Sequence, residues 1–86
     1  AFTTINYELD NVGSFANVSI YNANGQFIKE IANGELLSAK GFFRWDGLNE
    51  NGNVVKVGYY IVLFELYDNN GNTNVIKETV VVGTQF

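Results

Sequence analysis

"RWDGLNENGN", Arg44 to Asn53, joins the only tryptophan of the chain to two glycine turns, an Asp, a Glu and three Asn. Two readings compete for it. Either the polar side chains gather round a ligand, or the stretch is the exit from one strand and the approach to the next. The residues in front of it bear on the choice. "GFFRW" alternates, with Phe43 and Trp45 on one face and Phe42 and Arg44 on the other, which is the period of a strand. On that reading Trp45 belongs to a core, Asp46-Gly47 turns the chain out of the strand, and Asn51-Gly52 makes the next tight turn.

The same rhythm runs outward in both directions. "FTTINYEL" sets Ile5, Tyr7 and Leu9 against Thr4, Asn6 and Glu8. "ANVSIYN", "QFIKEI" and the short "VVKV" follow the same habit. "YYIVLFELY" is apolar on both faces for most of its length, and the charge of Glu65 points the Tyr60, Val62, Phe64 and Leu66 face inward. "TNVIKETVVV" is ambiguous, because Lys77 and Thr79 oppose Glu78 and Val80. Asn-Gly occurs at 24–25, 33–34, 51–52 and 70–71, and Asp-Gly at 46–47. These pairs accept the positive φ of tight hairpin turns. "YNANGQ", "LNENGN" and "YDNNGN" look alike, but their flanking strands do not match, so they are recurring turn chemistry and not a repeat architecture. The pattern predicts an all-β sandwich or barrel in one domain, 1–86.

Composition narrows the chemistry. Apolar residues make up 47% and aromatics 15% of 86 residues, enough for one core, and the net charge of −4 with scattered cations disfavours a nucleic-acid partner. The chain has no Cys and no His, which removes thiolate zinc sites, the commonest metal ligand and the usual general base. Ser14, Ser19 and Ser38 therefore have no imidazole to activate them. No apolar run is long enough to span a membrane. The start at "AFTTINYEL" without Met reads as a fragment, cut out of a longer protein or left by processing.

Each candidate site is weighed against a structural role. A calcium loop starting at Asp68 has Asn70 and Asn72 at the third and fifth positions, but Thr73 at the sixth and Thr79 at the twelfth, where Gly and Glu are needed. One starting at Asp46 has Leu48 at the third position, which cannot ligate. Asp46, Glu50, Glu65 and Glu78 are paired-acid candidates by residue type only. Phe2, Phe15, Tyr21, Phe42, Tyr59, Tyr67 and Phe86 could form an exposed aromatic platform for a sugar. No catalytic, cofactor-binding or metal-binding residue and no cofactor is assigned.

Taken together, "ANVSIYNANGQFIKEI", "GFFRWDGLNENGNVVKVGYYIVLFELYDNNGN" and "KETVVV" resemble the FlgD-type immunoglobulin-like domain over about residues 16–82. The resemblance implies a seven-stranded antiparallel β-sandwich, immunoglobulin or fibronectin type III-like, whose marked residues are structural. Trp45 would fill the core, Asp46 and Gly47 would turn the chain away, Gly52 would form the second turn, and Gly58 and Tyr60 would open the long strand, with the Tyr60 hydroxyl anchoring it. It also implies a non-catalytic C-terminal accessory domain of a secreted or cell-surface protein of Bacteroidetes-type bacteria. The partners would be upstream domains of the same polypeptide, with type IX secretion sorting or surface attachment as the specific role. Localisation would be extracellular or at the cell surface, by way of the periplasm. A carbohydrate-binding module serving an upstream enzyme is the alternative.

Overall fold

The computed structural model describes residues 3–10 and 13–83. It is all-β, with six strands: β1 (Thr3–Glu8), β2 (Ser14–Asn22), β3 (Phe27–Leu37), β4 (Lys40–Trp45), β5 (Gly58–Tyr67) and β6 (Thr73–Val82). They form two antiparallel sheets, a pair in the order β1-β4 and a four-stranded sheet in the order β3-β2-β5-β6. The two sheets face each other as an immunoglobulin-like sandwich.

Alternation sets what each strand buries. β5 sends Tyr60, Val62, Phe64 and Leu66 inward, β2 sends Ala16, Val18 and Ile20, and the smaller sheet answers with Ile5 and Trp45. The pairing Val80↔Tyr60, Glu78↔Val62 and Ile76↔Phe64 settles β6: its even-numbered residues face inward. Three aromatic contacts tie the sheets together. Tyr7 and Phe43 lean on Phe64 with centroids 6.0 and 6.2 Å apart, and Trp45 meets Tyr60 edge-on at 5.2 Å. Such pairs contribute about 0.5–1.5 kcal/mol each beyond the area they bury.

Two sequence expectations are corrected. Among the described residues the expected seven strands are six, because "VVKV" is no strand: Val54 makes only an isolated bridge to Leu48, and Val54 and Val57 are exposed. The Asn33-Gly34 pair is no hairpin turn either. It lies inside β3, where the register with β2 shifts, and Gly34 takes φ 69° while its amide donates to Asn17 Oδ1 at 2.8 Å. That is a bulge within one long strand, held by a side chain of its neighbour.

Candidate functional site

The 44–53 stretch leads the chain out of β4, and the side chains of Trp45, Asp46 and Asn49 bond to backbone within it. Trp45 ends β4 with its ring 1% exposed, and its Nε1 donates to the Leu48 carbonyl at 2.9 Å. Asp46 is exposed, and its Oδ1 accepts the Leu48 amide at 3.0 Å. Gly47 is buried at φ 76°, and its carbonyl accepts the Val55 amide at 2.9 Å. Gly52 sits at the next turn with φ 82°, and Gly58 opens β5 with φ 144°. The Tyr60 hydroxyl donates to the Lys56 carbonyl at 2.6 Å, and burial raises its pKa above the ordinary phenol value. Trp45, Asp46, Gly47 and Tyr60 thus meet around one connection, whereas Gly52 and Gly58 lie at its tip and its far end. The arrangement is a latch on the end of the core.

Glu50 has a role that residue type alone did not reveal. Its amide donates to the Ile28 carbonyl at 2.8 Å, and its Oε2 accepts the Glu30 amide at 3.1 Å. The loop therefore lies along the free edge of β3 and occupies part of its backbone.

The three similar turns share one geometry. In Asn22–Gln26, Asn49–Asn53 and Asp68–Asn72 the first side chain accepts, through Oδ1, the amides two and four residues on, at 2.9–3.0 Å. The glycine at the fourth position has φ between 82° and 84° in all three. The backbone of the first residue pairs with that of the fifth. These are Asx turns. They explain why the Asp68 loop looked like a cation site: its Oδ1 already receives amides, and Oδ2 accepts the Asn72 side chain at 3.0 Å. The Asn72 side-chain bond, followed by the backbone amides, holds the Asp68 pKa below the usual carboxylate value. Among the described residues no group of three or more acidic side chains gathers to hold a metal, and no buried side-chain polar atom lacks a partner.

A cleft of about 550 Å³ opens between the Asn22–Gln26 turn and the Val54–Tyr60 segment. No ionisable pair in it is arranged for acid–base work; Lys56 is its only charged lining residue.

The outer face of the four-stranded sheet is the more unusual surface. A one-sided antiparallel sheet shows polar residues to water. This one shows Phe15 stacked on Tyr67 (5.7 Å, 23°) at one end and Tyr21 edge-on to Phe27 (5.9 Å, 73°) at the other. Ile61 and Leu63 lie between them, half-buried, and Val75, Val81 and Tyr59 are exposed along β6 and the start of β5. The signal in the sequence was that β5 is apolar on both faces. Of the aromatic platform candidates, Phe2 and Phe86 lie outside the described residues. Phe42 stands on the smaller sheet under Arg44, 6.0 Å from its guanidinium carbon. The described rings are divided between the sheets, Phe42 on the smaller one and Phe15, Tyr21, Tyr59 and Tyr67 on the larger.

No curated protein and no solved structure matches the chain. A family model described as the FlgD Ig-like domain matches residues 1–68. The match takes in β1 through β5 together with the Trp45 latch, and ends before β6, and the chain belongs to that family.

Proposed function

We propose that this domain works by contact, as a non-catalytic accessory domain of a secreted or cell-surface bacterial protein. It packs against the neighbouring part of the same polypeptide through the outer face of its four-stranded sheet. The observation that supports this most directly is that face itself, where Phe15, Tyr21, Ile61, Leu63, Tyr67 and Val75 spread apolar surface across three strands. Apolar side chains gathered on an outer sheet face mark interaction sites, and here Asn17, Glu65, Lys77 and Thr79 share the face with them. Family membership supports the non-catalytic part of the reading.

The sharper version gives the domain a part in type IX secretion sorting or surface attachment. Its test is a reporter fused ahead of residues 1–86 in a host that has the type IX machinery. Delivery to the surface is expected, with loss of delivery when Ile61 and Leu63 are replaced by Thr and Lys in a domain that still folds. A reporter that stays in the periplasm sinks the sorting version. A double variant delivered as well as the parent removes the outer face from the reading.

A further inference from the structure

A β-sandwich has four sheet edges, and each edge strand must discourage stray pairing. Three edges here carry a device that does so. β3 has register shifts against β2, and Glu50 sits on its free backbone. β4 presents Lys40 and Arg44, both exposed. β6 places the charge of Glu78 on its inward face, midway between Ile76 and Val80. Among the described residues the fourth edge, β1, carries only Glu8, at its very end. Its register with β4 is unbroken from Thr3 to Glu8, and its inward residues Thr3, Ile5 and Tyr7 carry no charge.

The room beside β1 fits this difference. The smaller sheet has two strands against four, and β1 is the one that approaches β6. The inward row of β6 is accordingly only partly covered: Ile76 and Val80 are half-buried and Glu78 is exposed. A cleft of about 220 Å³ opens at the end of β1, with Leu9, Leu66 and Ile76 in its lining and Glu8, Asp10 and Asp68 beside them. The open side is therefore apolar underneath and acidic around the rim.

We infer that β1 is a pairing edge for an extended segment of a different polypeptide, whose inward side chains run apolar, basic, apolar against Ile76, Glu78 and Val80. Main-chain bonds to β1 supply the affinity, and the inward side chains supply the selection, as in strand addition generally. The acidic rim favours a basic strand. The same charges oppose a second copy of this chain, whose net charge is −4.

The test uses the 86-residue protein and two end-blocked peptides, Thr-Val-Thr-Lys-Thr-Val-Thr and the same sequence with Glu in place of Lys. Amide hydrogen exchange is followed residue by residue. The Lys peptide should slow exchange in β1 and bind about tenfold or more tightly than the Glu peptide, because juxtaposed like charges are costly. Glu78→Lys, a change at an exposed position, should reverse that preference. Absence of β1 protection with either peptide at millimolar concentration overturns the proposal. So does equal binding of both peptides, or protection that falls on β3 or β6 instead. Protection of β1 that grows with protein concentration and no peptide assigns the edge to a second copy, and also overturns it.

Discussion

Trp45 donates its indole proton to the carbonyl of Leu48, three residues further along, at 2.9 Å. One side chain thereby both fills the end of the core and fixes the path of the chain leaving it. The two contributions separate by mutation. Trp45→Ala removes both and should cost about 3–5 kcal/mol. Trp45→Phe keeps most of the buried ring but deprives the Leu48 carbonyl of its donor, and should cost about 1–3 kcal/mol. Urea unfolding of the two variants measures this, and a loss under about 1 kcal/mol for Trp45→Ala would contradict the burial.

Asp68 and the two asparagines at equivalent turn positions offer a comparison already built into the chain. The depressed pKa of Asp68 means that its carboxylate form is favoured by folding. Its contribution is fully present above the unfolded value of about 3.9 and is lost as pH falls through the lower folded value. Asp68→Asn keeps the Oδ1 acceptor, as Asn22 and Asn49 do, so the variant should fold. The gap in melting temperature between parent and variant should narrow or change sign as the solution is taken from pH 5 to below pH 3. A gap that stays constant would show that Asp68 is not favoured in its charged form.

Gly41 and Gly52 should both resist alanine, for different reasons. Gly52 has open space around it but a φ of 82°, so Gly52→Ala meets only backbone strain, on the order of 1–2 kcal/mol. Gly41 has no such φ, but a Cβ there would sit 2.5 Å from the Tyr7 hydroxyl oxygen and 2.8 Å from ring carbon Cζ. Gly41→Ala must displace the Tyr7 ring, which is packed on Phe43 and Phe64. Chemical-shift changes should stay near the turn for Gly52→Ala and reach Phe64 for Gly41→Ala. Shifts confined to β4 in the latter would mean that Tyr7 does not press on this glycine.

Glu50→Gln should leave stability nearly unchanged, since a side-chain carbonyl can still accept the Glu30 amide. Glu50→Ala should cost about 1 kcal/mol and speed exchange of that amide. It should also raise aggregation, because the β3 edge loses part of its cover. Equal exchange rates at Glu30 in all three proteins would show that the side chain is not the protector.

Much of the sandwich was legible because alternation and burial agree along β4 and β5, and the inward set of β5 is the one its single charge indicated. What misled was punctuation. Asn-Gly pairs looked equivalent, yet true turns also need an Asx acceptor three positions before the glycine. Asn22, Asn49 and Asp68 supply it for Gly25, Gly52 and Gly71, whereas Ile31 stands before Gly34 and Arg44 before Gly47. Those last two glycines serve a bulge and a strand exit. "VVKV" failed for another reason: a strand exists only beside a partner, and the backbone there pairs through just one bridge. The outer face and the β3 cover at Glu50 depend on register between distant strands, which a single sequence does not display.

The Asx turns have a consequence in time. Every bond that shapes them lies within five consecutive residues, so the β2–β3 and β5–β6 hairpins can close without help from the rest of the chain. By contrast Thr3 must find Trp45, and Phe15 must find Tyr67. Such distant pairings pay loop-closure entropy before their contacts repay it. Folding should therefore have two tempos, with hairpins forming early and the meeting of β1 with β4 and of β2 with β5 setting the rate. Substitutions at Asn22 and Asp68 would then slow folding.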